Sequence, residues 1–430
     1  MWRLGGERLT IRRVGILFAG GPAPAANAVI AAAGVSLLDA GVEVLGFYHG
    51  YSNLAAYDPS KAPLLADEHY RLLGDDDLRG IRSSRGVVIG TSRVGPGQEI
   101  RTVADLDDPV RLGPLHTVRA GLLAAGVQAL ISIGGDGTLR TANLLVEMQR
   151  RLPPEEPRVA IVHVPKTIDN DYPGIDFTFG FFTAVDVLAR ELHNLRADAQ
   201  ATSGWFLVET MGRRAGWLAY GVGIAGEADL TIGVEDIPAG WKTAAGHLDP
   251  RRVVDQIVDT MVAREGKGKH YGVVVLAEGL AELLAPGTTT RRDDQGRVVL
   301  AAVDLGRTFA GLVSERYAAR TGRKKKVTGL QLGYESRAAP PHAFDVMLAS
   351  QLGIGATKAL LEHGHDGVMI STSGQFELKY VPFGDLVDPV TLRTRVRLVK
   401  PGSDFHQLAR FLESRTARPR AWGPGPRKEG

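Results

Sequence analysis

Apolar residues in this chain come in short unbroken runs that stop at glycine or at polar residues, and longer stretches with helical spacing lie between them. The run at residues 14–19, in RRVGILFAGG, is β-branched and aliphatic, ends at two glycines and leads into AANAVIAAAGVSLLDAG. That order reads as strand, glycine turn, helix, and the next run, VEVLGFYHG, completes a βαβ unit. The unit recurs as a strand in RGVVIGTSR (85–93), in GLLAAGVQALISIGGDGTLRTANLLVEMQ, and in RVAIVHVPKTIDND. Further strands are expected in SGWFLVETMG (203–212) and HYGVVVLAEGL (270–280), with amphipathic helices at 247–265 and 302–320. APGTTTRRDDQGRVV (285–299) has turn chemistry throughout and reads as a surface insertion. No internal repeat interrupts this order.

The pattern predicts an α/β fold: two Rossmann-like lobes with mostly parallel sheets covered by helices, and an active site in the cleft between them. The 430 residues are more than one core normally fills. The expected organisation is a donor-binding lobe, 1–180, completed by about 338–390, and a sugar-phosphate lobe, 181–337, completed by about 391–412. Residues 413–430 are expected to be a disordered basic tail. In open parallel sheets ligands collect at the carboxyl ends of the strands, which directs attention to the turns there.

Charge changes the picture less than the pI near 9.0 suggests. SRTARPRAWGPGPRKEG (414–430) holds five Lys/Arg and one Glu, which exceeds the +3 net charge of the whole chain. The basic balance therefore belongs to the tail, and nucleic acid is not an expected partner. No run is long enough for a spanning helix and the first residues lack a signal-peptide core, so the expectation is a cytoplasmic protein with no membrane partner. The absence of cysteine excludes disulfides, thiolate metal sites and a thiol nucleophile.

Three stretches carry candidate chemistry. ISIGGDGTLRTA places Gly135, Asp136, Gly137 and Thr138 between a strand and a helix; backbone N–H groups there can approach a phosphate closely, and Asp136 can hold Mg²⁺ against its oxygens. The same sequence also fits a plain glycine turn with an Asp cap. Gly20 and Gly21 make a second such turn, and Arg93 is expected at a third strand end, where a guanidinium can clamp a phosphoryl group. VPKTIDNDYPG then gathers Lys166, Thr167, Asp169 and Asp171. In an extended loop the two aspartates would project to one side, one as proton acceptor and the other supporting metal or base, while Lys166 offers a compact charge to phosphate. In ETMGRRAG, Arg213 ends another strand and Arg214 is expected to be solvated. Glu278 in LAEG repeats that geometry and could bond sugar hydroxyls. RKKKVTGLQLGYESR mixes basic residues with a strand and ends in Tyr334 and Arg337, a solvated face or, near a phosphosugar, an anion clamp.

GGDGT, PKTIDNDYPGIDFTFGFFTA and ETMGRRAG, in this order, resemble the phosphofructokinase family over roughly residues 13–380; the second motif is very specific, whereas NAD and lipid kinases share a similar glycine loop. The resemblance implies a 6-phosphofructokinase with Mg²⁺, acting on fructose 6-phosphate in glycolysis, as a homodimer or homotetramer and often allosteric. It implies Asp169 as general base on the sugar 1-hydroxyl, Asp171 assisting, Thr167 near the transferring phosphate and Asp136 holding Mg²⁺. Arg213 and Arg93 would stabilise the phosphoryl group, Met211, Gly212 and Glu278 would contact fructose 6-phosphate, and Tyr334 and Arg337 would take its 6-phosphate. The chain departs from many bacterial ATP enzymes at Gly204 and Tyr334, where they have arginine and histidine. Lys324, Lys325 or Lys326 could replace a second arginine that crosses between subunits. In the family an aspartate after GGD, with lysine in PKTIDND, resembles the pyrophosphate users. Gly137 with Lys166 looks like the ATP enzymes of trypanosomes and plants, so ATP is the expected donor. Pyrophosphate, another phosphosugar such as sedoheptulose 7-phosphate, and, more distantly, an NAD- or lipid-kinase-like enzyme or a non-catalytic regulatory subunit remain as alternatives.

Overall fold

The computed structural model describes residues 11–285 and 302–414, and the backbone of 3–4 and 7–8. The chain divides into two compact units: Met1–Ala184 with Tyr334–Arg397, and Val185–Gly333 with Leu398–Gly430. Thirteen strands are assigned among the described residues. A two-residue ladder joins β1 (Arg3–Leu4) and β2 (Glu7–Arg8). β3 (Arg13–Ala19), β4 (Glu43–Phe47), β5 (Tyr70–Leu73), β6 (Ala129–Gly134) and β7 (Ala160–Pro165) follow. Then come β8 (Trp205–Thr210), β9 (Leu230–Ile232), β10 (Gly272–Ala277), β11 (Val327–Leu332), β12 (Val368–Ser373) and β13 (Glu377–Pro382).

The first unit is built on a seven-stranded sheet in the order β13-β12-β7-β6-β3-β4-β5. Only its edges, β13 and β5, run antiparallel. β6 and β7 are buried along their whole length, and that is why their sequences are unbroken apolar runs: helices cover both faces of a parallel sheet. After β3 the chain builds outward to β4 and β5, then returns to place β6 on the other side of β3. The carboxyl ends of β3 and β6 therefore flank the point where the strand order reverses, the position at which open α/β sheets hold ligands. The alanine-rich helix Ala26–Asp39 packs on Ala343–Leu361, whose Thr357 hydroxyl reaches the Ala33 carbonyl at 3.3 Å.

The second unit has four parallel strands in the order β11-β8-β10-β9. Helices Pro250–Glu265 and Leu305–Thr321 bury Val253, Ile257, Met261, Phe309 and Val313 with Trp205, Leu207 and Leu276 of the sheet.

Two readings need correction. The run at 85–93 is not a strand: it follows bends and turns, with left-handed Gly86 (φ 74) and Gly90 (φ 65). Its Ile89 carbonyl accepts from His49 N–H at 3.0 Å, so the segment lies across the end of the sheet instead of joining it. At the chain's end Ser414 is held, its hydroxyl donating to Asp229 at 2.9 Å and accepting from Arg264 at 2.7 Å. The expected tail from 415 onward, and the expected insertion from 286 to 301, lie outside the described residues. Among the described residues no helix is long and apolar enough to cross a membrane.

Candidate functional site

The register of three strands brings the first unit's motifs together. Ala19 pairs with Gly134, and Gly134 with Pro165, so Gly20, Gly135 and Lys166 follow at one level across the sheet. Gly20 has φ 94, a conformation that side chains with a Cβ rarely adopt. A Cβ there would sit 3.9 Å from Gly135 N, Thr138 Oγ1 and Lys166 Nζ, and this defines how closely the two glycine turns and the lysine converge. Gly20 N–H donates to the Ser92 carbonyl at 2.7 Å and Thr91 Oγ1 donates to the Gly20 carbonyl at 2.7 Å. Those two bonds bring exposed Arg93 beside the turn without a strand.

The second glycine turn opens the helix Asp136–Arg150, whose first N–H groups face away from intrahelical partners. Asp136 is exposed at its first position, with one carboxylate oxygen accepting from Gly137 N–H at 2.8 Å. A Cβ on Gly137 would meet nothing within 4 Å. Thr138 is buried, and its hydroxyl donates to the last carbonyl of β3, Ala19, at 3.2 Å; it braces the turns against each other. Among the described residues no group of three or more His, Asp or Glu is arranged around a metal position. An exposed carboxylate beside a glycine turn could hold Mg²⁺, an ion that keeps several waters and is held by one or two carboxylates plus substrate phosphates.

Lys166 is 8 % exposed. Burial pushes its ammonium down to about 8; Asp169 opposes the shift most, Arg337 reinforces it, and Asp136 and Asp171 oppose it. Three carboxylates and one guanidinium thus act on this lysine through their charge.

The loop that carries the aspartates is not extended. It bends at Ile168 and Asp169, and Asn170 is left-handed with φ 53. The expected same-side projection therefore does not follow from spacing; half-buried Asp169 and Asp171 both act on Lys166 from a bent loop. Thr167 Oγ1 accepts from Asp169 N–H at 3.0 Å, which stabilises the bend. Asn170 Oδ1 accepts from Thr178 N–H at 3.0 Å, and the Thr178 hydroxyl donates to the Thr167 carbonyl at 2.8 Å.

Three contributors had no signal in the sequence. Tyr172 is buried and donates to the Gly134 carbonyl at 3.2 Å, the same carbonyl that accepts from Lys166 N–H at 2.9 Å. Both ends of the 166–172 loop thus close on one atom at the end of β6. Tyr172 also lies 3.3 Å from His163 Nε2 on β7, and burial pushes that imidazole down to about 3, so it is neutral. Arg397, 227 residues from Asn170, donates to the Asn170 carbonyl at 2.7 Å. Arg337, expected at a sugar phosphate, lies beside the first glycine turn, its guanidinium carbon 3.8 Å from where a Gly21 Cβ would be. It also stacks 4.7 Å over the ring of Tyr334, which is exposed.

In the second unit the carboxyl ends of β8 and β10 are level, with Thr210 opposite Ala277. Gly212, with φ 126, turns its N–H to Glu278 Oε1 at 3.0 Å, and Met211 beside it is buried. Arg213 pairs with Glu282 at 2.5 Å, a partner missed from the motif alone. Arg214 is exposed, as expected. Lys326 lies away from this set. It precedes β11, its carbonyl accepting from Trp205 N–H at 3.0 Å. The length of the strand, about 20 Å, separates it from the carboxyl ends.

The phosphofructokinase family model matches residues 13–360. The chain is 34% identical over 409 residues to a pyrophosphate–fructose 6-phosphate 1-phosphotransferase of Thermotoga maritima, covering 93% of this chain and 89% of that one. It is 31% identical over 381 residues to an ATP-dependent 6-phosphofructokinase of Corynebacterium efficiens, covering 87% and 93%. Among solved structures, the Pichia pastoris phosphofructokinase in the T-state superposes with a TM-score of 0.65 at 24% identity, over 88% of this chain and 36% of that one. The pyrophosphate-dependent phosphofructokinase from Nitrosospira multiformis gives 0.64 at 18% identity, over 96% and 95%. The likeness to these structures is one of fold; with the sequence matches across nine-tenths of its length, the chain belongs to the phosphofructokinase family.

Proposed function

We propose that this protein transfers the γ-phosphoryl group of ATP to the 1-hydroxyl of fructose 6-phosphate, giving ADP and fructose 1,6-bisphosphate, a step of glycolysis. The observation that carries the reading is that Gly20, Gly135 and Lys166 stand together at the strand ends, with the charges of Asp136, Asp169 and Asp171 acting on that lysine. Asp169 accepts the proton of the 1-hydroxyl as that oxygen forms its bond to phosphorus and the bond from phosphorus to the β-phosphate oxygen breaks. Asp171 supports the loop's negative field. Lys166, Arg93 and Arg213 offset charge on the equatorial and leaving oxygens, and the backbone N–H groups after Gly20 and Gly135 cradle the donor. Asp136 would hold Mg²⁺, which supplies charge neutralisation on the phosphates. Met211, Gly212 and Glu278 recognise the sugar, and Tyr334 its phosphate.

The donor assignment rests on Gly137. A side chain there would project into open space beside the turn, and glycine leaves that space for the rest of a nucleotide. The competing reading is pyrophosphate, favoured by Lys166 and by the Thermotoga maritima relative. Lys326, remote from its own chain's set, suits a role toward a second copy in a homodimer or homotetramer. A coupled assay over several sugar phosphates with both donors tests the proposal. ATP turnover with fructose 6-phosphate, weakened in Gly137→Asp, is expected, and Asp169→Asn should lower turnover by about 10²- to 10⁴-fold. Turnover with pyrophosphate but not ATP would overturn the donor assignment.

A further inference from the structure

We propose that Arg397 is the positioning residue that sets the two aspartates of the catalytic loop. The proposal rests on the reading of Asp169 as base, and it stands on the bonding of one guanidinium. Nη2 donates to the Asn170 carbonyl at 2.7 Å; Nη1 donates to the carbonyls of Ile175 and, at 3.0 Å, Asp176. The backbone N–H of Arg397 donates to the Asp171 carbonyl at 2.7 Å. Four bonds from one residue therefore grip the loop over residues 170–176.

The location explains why such a grip matters. Asn170 lies between Asp169 and Asp171 and holds a left-handed conformation, which costs free energy unless the surroundings enforce it. Its side chain is braced from one side by Thr178, and its carbonyl is fixed by Arg397. If that peptide rotates, the two carboxylates on either side of it change direction. Three carbonyls fanned around a half-buried guanidinium need a planar fork of donors, which arginine has and lysine lacks. The guanidinium touches no reacting atom, so its effect passes through the loop.

The test compares Arg397→Ala and Arg397→Lys with the parent in steady-state kinetics, with and without guanidinium ion at a sub-denaturing concentration. Arg397→Ala is expected to lower kcat about 100-fold while KM for fructose 6-phosphate stays within about threefold, the pattern of a misplaced catalytic group. Guanidinium should restore part of that kcat, and Arg397→Lys should be intermediate. A packing role alone would lower the folded fraction without rescue, and that result, or a kcat within about threefold of the parent, overturns the proposal. Where Arg397→Ala does not accumulate folded, Arg397→Lys decides by the same kcat and KM criterion. Amide exchange over 167–178 should rise in both variants, a readout that does not depend on which sugar or donor is used. Exchange unchanged from the parent also overturns the proposal, whereas a parent inactive on fructose 6-phosphate counts only against the assignment of the reaction.

Discussion

Lys166 is the residue on which the proposed donor set turns. Its ammonium is buried among polar groups and loses its proton near pH 8, not near the ordinary lysine value. Deprotonation removes a positive charge from the donor phosphates, so kcat/KM for the donor is expected to fall as pH rises through about 8. Lys166→Met should be slower throughout and lack that alkaline limb; a limb that persists in the variant would move the titration to another group. Asp136 and Gly137 show the opposite economy of means: one carboxylate and one missing side chain shape the space beside the turn.

Among elements, the 166–172 loop and the β6 turn act as one piece because both loop ends bond the Gly134 carbonyl. Tyr172→Phe removes one of these bonds and leaves His163 Nε2 without its partner at 3.3 Å. The expected loss of stability is about 1–3 kcal/mol, read by denaturant unfolding. A variant as stable as the parent would mean that the Lys166 bond alone holds the turn. The alternation of strand and helix, the apolar character of β6, β7, β8 and β10, and the helices near 250–265 and 305–321 were legible because each is a contiguous pattern. The strand expected at 85–93 was not realised: two glycines in left-handed conformations turn its backbone out of any ladder. β12 and β13 were not anticipated, since an antiparallel edge pair after a long helix leaves little local trace.

At the scale of the molecule, the segment from Arg410 to Ser414 completes the sheet edge of the second unit. β9 is an edge strand, and its outward groups are met by the C-terminal segment: Glu413 accepts from Thr231 N–H at 2.7 Å, Arg410 donates to the Thr231 carbonyl at 2.7 Å, and Ser414 N–H donates to the Asp229 carbonyl at 2.9 Å. Such covering blunts an edge that would otherwise pair with another chain. Burial pushes Glu413 up to about 7 from 4.5, with Arg410 opposing and Asp236 reinforcing the shift. The folded state therefore binds the proton more tightly, and the stability tied to Glu413 is lost as pH rises through about 7. In Glu413→Gln this part of the pH dependence should disappear from thermal melts taken between pH 4.5 and 8; an unchanged slope would assign it elsewhere.

The sequence by itself determined the fold class and the family, because strand and helix patterns and the motif PKTIDND are written in neighbouring residues. It also supplied the residue types that the proposed site would use for phosphate, proton and metal. Only the tertiary structure decided how they are held: Arg397 reaches a loop 227 residues away, Arg337 comes to Gly21, and Lys326 falls at the far end of its strand. Those outcomes depend on strand order and register, which arise from packing across the whole chain and leave no periodicity in any one segment.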